Sequence, residues 1–207
     1  MALPPIPTRL GFLASHGGSN VQAILDAIAA GWLPAVAAVV ISNNSDAPVL
    51  ERARARGIPA RHLSPRTHPL PAALDGAILD ALREHAVNLV VLAGYMKKLG
   101  AAVLAAYPRR VLNIHPALLP KFGGQGMYGA RVHQAVLAAA EAESGATVHL
   151  VTERYDQGPI LGQARVPVLP GDTPETLHAR VLEQEHRLYA QTLRRIATGE
   201  IDLDRLP

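Results

Sequence analysis

Residues 9–42 read RLGFLASHGGSNVQAILDAIAAGWLPAVAAVVIS. Arg9 to Ala14 is a short β-type apolar run and reads as a strand. Ser15 to Asn20 holds glycines and small polar residues, the composition of a turn. Ser19 to Ala30 has a helical pattern, and Ala35 to Ser42 is a second strand. Strand, loop, helix, strand, with buried-looking strands, is the pattern of a parallel sheet covered on both faces.

The pattern continues outward. A helix is expected from Ala47 to Arg56, a short strand at Ala60 to Leu63 and a helix from Pro71 to His85. Leu89 to Ala93 and Arg110 to Ile114 are further strands. The second half differs: a helix at Ala130 to Ala142, then strands at Thr147 to Val151 and Ile160 to Val168 around the turn Tyr155-Asp156-Gln157-Gly158-Pro159. Two strands so close are expected to be antiparallel. Pro174 to Ile196 closes the chain as a long helix, with Thr173 as cap, Pro174 in the first turn and Glu175 at the positive dipole end. The expected fold is α/β: a single doubly wound, Rossmann-like domain over residues 1–207. Its sheet is mostly parallel with an antiparallel C-terminal part. Residues 1–8 are expected to be a flexible extension.

Composition narrows the function. Hydrophobic residues make up 49% and charged residues 18%, which suits a packed core and not a disordered chain. The formal net charge of +3 is mild. Arg52, Arg54, Arg56 and Arg61 have few aromatics near them, so they read as a solvated face and not as a nucleic-acid surface. Absence of cysteine excludes disulfides, cysteine zinc sites and a thiol nucleophile. His133, His149, His178 and His186 lack metal-site spacing, so no metal is expected. No apolar run reaches the ~18 residues of a membrane span, and residues 1–7 do not resemble a signal peptide. A cytoplasmic location without membrane partners is therefore expected. Nothing in the sequence sets the oligomeric state.

Three segments carry chemistry. In Ser15-His16-Gly17-Gly18-Ser19-Asn20, glycines allow close backbone approach and the next helix offers free N–H groups, an anion site suited to phosphate. The same loop can also be read as a tight turn capped by Ser19. It lacks both GxGxxG and the P-loop GK[ST], which argues against a dinucleotide or ATP. In Leu112-Asn113-Ile114-His115-Pro116 a strand ends at proline, at the sheet edge where open α/β sheets bind ligands. Asn113 and His115 share one face there. An amide can stabilise an oxyanion and an imidazole can move protons, as acyl transfer to an amine needs. A structural histidine at a strand end is the other reading. Asp156 sits in ordinary turn chemistry; its functional reading puts it beside His115, raising that pKa and fixing the ring. His149, alternating with Thr147, is expected in the pocket wall.

With these residues in view, the chain resembles the phosphoribosylglycinamide formyltransferases, folate-dependent enzymes of purine synthesis. The resemblance runs from about Arg9 to about Leu193. It rests on His16-Gly17-Gly18-Ser19-Asn20, Ile41-Ser42-Asn43, Leu92-Ala93-Gly94-Tyr95-Met96, Leu112 to Pro120, Gly145 to His149, Asp156 to Ile160 and Gln184-Glu185-His186. It implies that Asn113, His115 and Asp156 are catalytic. It also implies that Gly18, Ser19 and Asn20 hold the substrate phosphate and Glu185 the ribose hydroxyls. Met96, Lys97, Lys98 and Leu99 match the segment lining the folate pocket, Asn113 adjoins it, and Thr152, Glu153, Arg154, Tyr155 and Asp156 match the loop over the pterin ring. The implied substrates are glycinamide ribonucleotide and 10-formyltetrahydrofolate, the formyl donor, with no metal.

Two departures stand out. The family often has a folate-contacting Arg about 25 residues before the position of Met96; here Pro71 falls there, with Arg66 and His68 nearby, so either a neighbour substitutes or the folate tail is held differently. Residues 121–129, KFGGQGMYG, are longer and richer in glycine than in many relatives; they read either as a lid that excludes water or as a flexible surface loop. Rival readings are a formyltetrahydrofolate hydrolase, a transformylase acting on methionyl-tRNA, and a non-catalytic nucleotide-binding module. The first normally carries an extra N-terminal domain and the second a C-terminal one. With the chain ending at Pro207 straight after the long helix, the small-acceptor enzyme is expected.

Overall fold

The computed structural model describes residues 7–206. Its elements are β1 (Thr8–Ala14), α1 (Ser19–Ala29), β2 (Ala35–Ser42), α2 (Pro48–Arg54), β3 (Ala60–His62), α3 (Pro71–Glu84), β4 (Leu89–Leu92), α4 (Ala101–Ala106), β5 (Val111–His115), α5 (Ala130–Ala138), β6 (Glu143–Leu150), β7 (Ile160–Pro167) and α6 (Pro174–Ala197), followed by a 3-10 turn at Leu203–Arg205. The strands form one sheet in the order β3-β2-β1-β4-β5-β6-β7. β1 to β5 are parallel, while β6 runs antiparallel to both β5 and β7. The expected α/β architecture is therefore present, including the antiparallel C-terminal part and the long final helix.

Helices cover both faces. Leu10, Phe12 and Ala14 of β1 pack with Val21 and Ile24 of α1, Leu50 of α2 and Leu177, Tyr189 and Leu193 of α6. Leu13 points the other way, into a cluster with Ile78 and Leu82 of α3 and Val103 of α4. This alternation is the period of two of a strand buried on both sides. Tyr189, fully buried, donates at 3.1 Å toward the carbonyls of Leu92 and Leu112, tying α6 to β4 and β5. Its phenol is pushed well above its ordinary pKa by burial.

Several expectations shift. Of the expected extension over residues 1–8, residues 1–6 lie outside the described residues; Thr8 already belongs to β1 and pairs with Ala35. Helix α5 stops at Ala138, short of Ala142, because Ala140 turns to φ +50° and leads into β6. β6 starts at Glu143, not Thr147, since Gly145 lets the Ala164 carbonyl approach closely (a Cβ there meets it at 2.0 Å). Ser19 does not cap α1: Gly18 holds the cap position at φ +65° with no side-chain bond. Thr173 does cap α6, accepting from Thr176 N–H in a capping box.

Candidate active site

A cavity of about 510 Å³ opens at the carboxyl ends of β4 and β5. It lies beside the point where strand order reverses between β1 and β4, where open α/β sheets bind ligands. Asn113, His115, His149 and Asp156 line its inner part.

Asn113 and His115 face the same way because they are two apart on β5. Antiparallel β6 sets His149 directly opposite Asn113. His149 Nδ1 lies 2.8 Å from the Leu150 carbonyl, so that nitrogen carries a proton. In the neutral ring, Nε2 is then an acceptor and takes one N–H of the Asn113 amide at 3.1 Å. The second N–H of that amide is left for a ligand. Asp156 Oδ1, 3.5 Å from His149 Nε2, bonds to it only when the ring is protonated.

His115 is buried, and its Nε2 donates to the Phe122 carbonyl at 2.7 Å. This fixes the tautomer and leaves Nδ1 bare. Asp156 Oδ2 stands 3.6 Å from Nδ1. Burial lowers the His115 pKa; Asp156 and the Phe122 carbonyl raise it and His149 lowers it, for a net value below the ordinary one. The expectation that Asp156 stands beside His115 and raises its pKa is met, but it leaves out desolvation and the carbonyl that holds the other ring nitrogen. Asp156 pulls upward, but desolvation wins. Burial pushes Asp156 up in turn, yet His149, His115 and the Gly124 N–H outweigh it and keep the carboxyl below its usual range. That N–H donates to Asp156 Oδ2 at 2.9 Å.

Along another wall, α1 and α6 supply Asn20 and Glu185. The Asn20 amide donates to Glu185 Oε2 at 2.7 Å. Burial pushes the Glu185 carboxyl up to about 7 against the pull of Asn20. Gly18 and Ser19 do not line the cavity; they form the start of α1 just before Asn20, with no acidic residue in its first turn.

Met96, Lys97, Lys98 and Leu99 also line the cavity, as do Thr152, Glu153, Arg154 and Tyr155. Lys98 Nζ sits 5.6 Å from the Tyr155 ring centroid. Ser15, at the end of β1, holds this region: its hydroxyl accepts from Met96 N–H at 2.8 Å and donates to Asn43 at 2.6 Å. Arg66, His68 and Pro71 do not line the cavity.

Sequence reasoning underrated His149, naming it only as wall, though its alternation with Thr147 was the available signal. It missed the Phe122 carbonyl and the Gly124 N–H, because backbone groups leave no mark on residue identity. Among the described residues, no group of three or more His, Asp or Glu is arranged to hold a metal ion. No helix among them is long and apolar enough to cross a membrane.

Residues 8–193 match the family model described as Formyl transferase. The chain belongs to the formyl transferase family. It is a formyltransferase enzyme by its likeness to named members over most of its length. A phosphoribosylglycinamide formyltransferase of Haemophilus influenzae is 40% identical over 195 residues, covering 94% of this chain and 90% of the relative. The chloroplastic phosphoribosylglycinamide formyltransferase of Arabidopsis thaliana is 40% identical over 198 residues, 95% of this chain and 68% of that protein. The crystal structure of glycinamide ribonucleotide transformylase 1 from Symbiobacterium toebii superposes with a TM-score of 0.88 at 45% identity, over 93% of this chain and 89% of that one. That crystal structure shares the fold of this chain.

Proposed function

We propose that this formyltransferase moves the formyl group of 10-formyltetrahydrofolate to the amine of glycinamide ribonucleotide, a step of purine biosynthesis. The observation that carries the reading is the convergence of Asn113, His115 and Asp156 on one cavity of about 510 Å³, the size of a small-molecule site.

The donor lies between Met96–Leu99 and Thr152–Asp156, with its formyl group toward Asn113. The acceptor's phosphate meets the N-terminal turn of α1 at Gly18, Ser19 and Asn20. Its ribose hydroxyls meet Glu185. The amine attacks the formyl carbon, and the carbonyl oxygen becomes an oxyanion. The free N–H of Asn113, whose amide is held by His149, donates to that oxygen. His115 Nδ1 takes the proton from the attacking nitrogen. The resulting imidazolium gains the Asp156 carboxylate 3.6 Å away. The intermediate collapses, the bond from carbon to N10 of the folate breaks, and His115 returns the proton to N10. No covalent enzyme intermediate forms.

Residues 123–126 hold Asp156 through Gly124, and Gly124 to Gly129 line the cavity. This supports a covering loop that also excludes water from the formyl donor. The test of the reaction is tetrahydrofolate release followed by absorbance, with and without glycinamide ribonucleotide. Release should require the ribonucleotide; release at equal rate without it means hydrolysis or another acceptor.

A further inference from the structure

We propose that Ser15 is a positioning residue for the formyl donor: from the start of the loop 15–20 it holds residues 94–98 of the cavity wall in the shape that receives the folate. The naming of the donor rests on the function proposed above; the junction itself rests on independent geometry.

Three strands end together at Ser15. β1 stops at Ala14, β4 at Leu92 and β2 at Ser42, and β1 lies between the other two in the sheet. The β1–β4 ladder reaches Leu13 and Leu92. Beyond it, Ala93 N–H donates to the Leu13 carbonyl at 2.9 Å and Ser15 N–H to the Gly94 carbonyl at 3.0 Å. Gly94 then turns to φ +74°, and the two chains part. The Met96 N–H, two residues on, is taken by the Ser15 hydroxyl at 2.8 Å. Among the described residues, no other hydrogen bond reaches the backbone of 94–98.

The hydroxyl is itself held. Its oxygen accepts from Met96, so its one hydrogen goes to Asn43 Oδ1 at 2.6 Å. The Asn44 amide donates to the Ser15 carbonyl, and Asn44 N–H donates to Ser42 Oγ at 3.2 Å. Ser15 thus has its N–H, its carbonyl and both roles of its hydroxyl engaged, and it is 1% exposed. A buried polar network satisfied in this way is rigid. The stretch Ser42-Asn43, idle in the proposed reaction, finds its use here as the support of Ser15.

Gly94, Tyr95, Met96, Lys97 and Lys98 all line the cavity, as does Asn20, five residues after Ser15. One side chain therefore joins two walls. Without its oxygen the Met96 N–H loses its acceptor, and the segment past Gly94 is released from β1. A donor that must order this segment again binds more weakly, in proportion to the time the segment spends in the receptive shape. The wall at Asn20 keeps its own supports, the Gly18 turn and the bond from Asn20 to Glu185. The effect should fall on the donor and spare the acceptor.

The experiment measures initial rates with 10-formyltetrahydrofolate and glycinamide ribonucleotide for the parent chain, Ser15→Ala, Ser15→Thr and Asn43→Ala. Ser15→Ala should raise KM for the donor roughly ten-fold and leave KM for the acceptor in place. Ser15→Thr keeps the oxygen and should restore most of the donor KM. Asn43→Ala keeps the acceptor of Met96 and removes only what orients it, so it should give a smaller rise in the same direction. An unchanged donor KM in Ser15→Ala, or donor and acceptor KM rising together, overturns the proposal. Amide hydrogen exchange needs no substrate: Met96 N–H should exchange roughly ten-fold faster in Ser15→Ala while Ala93 N–H is unmoved. Equal protection of Met96 in both proteins also overturns it. Should Ser15→Ala fail to fold, Asn43→Ala is read by the same two measurements, and unchanged donor KM and Met96 exchange overturn the proposal. If the parent chain does not transfer to the ribonucleotide, the proposed reaction fails, and exchange at Met96 alone decides whether Ser15 holds the segment.

Discussion

Two glycine-rich loops border the cavity, and they use glycine for different ends. In residues 15–20, Gly18 adopts φ +65°, and a Cβ there would meet Val49 Cγ2 at 2.3 Å. The glycine lets the chain turn tightly into α1, which brings Asn20 to the cavity wall. In residues 121–129, Gly124, Gly126 and Gly129 also have positive φ. There the backbone turns toward the protein's own side chains: the Phe122 carbonyl takes His115 and the Gly124 N–H takes Asp156. Under the proposed function, one loop offers its backbone to the acceptor phosphate. The other uses it to orient His115 and Asp156, so similar composition conceals different work.

The comparison is most exposed by deleting Gly123 to Gly126. If the second loop positions His115 and Asp156, kcat should fall by roughly 10⁴-fold, the full range of acid–base catalysis, with acceptor affinity affected far less. Unchanged kinetics would end both the positioning and the lid readings. Asp156→Asn separates the carboxylate from the loop that holds it. We expect a loss of roughly 10³-fold in kcat. Asp156 raises the pKa of His115, so its removal should also move the acidic limb of the kcat profile to lower pH. A limb that stays put would mean that His115 does not feel this carboxylate.

Glu185 probes the first loop's side through its bond to Asn20. Its folded pKa of about 7 lies above the free value of 4.5. The protonated form is therefore favoured by folding. Its stabilising contribution is complete below about pH 4.5 and is lost as pH rises through about 7, a change of up to about 3 kcal/mol. Glu185→Gln should flatten this decline in denaturant melts between pH 5 and 8; parallel curves for the two proteins would contradict it. Smallest is Gly18→Ala. Positive φ and overlap with Val49 should lower stability by about 2 kcal/mol, with partial recovery in the double variant carrying Val49→Ala, as read by thermal melts.

Much of the sheet was legible from residues alone. Ala35–Ser42 matches β2 because an uninterrupted β-type run between turn signals has few other uses. Helix α4 gave no such signal: it has six residues, and its N-terminal amides bond Asp75, 27 positions earlier, at 2.7 Å from Ala102 N–H. No local pattern records a cap supplied from another helix. Asn113 and His115 announced their shared face by spacing. Their pairing with His149 and Asp156 depends on β6 returning antiparallel beside β5, a contact over 36 residues or more that spacing cannot encode. Backbone partners such as the Phe122 carbonyl are invisible by nature, since every residue has one.

The most direct measurement is ribonucleotide-dependent tetrahydrofolate release by His115→Ala at saturating substrates. The account predicts a fall of at least roughly 10²-fold, because His115 Nδ1 is the bare nitrogen beside Asp156 that carries the proton in the proposed reaction. Transfer at the parent rate would show that the proton travels by another route and that His115 serves only the fold.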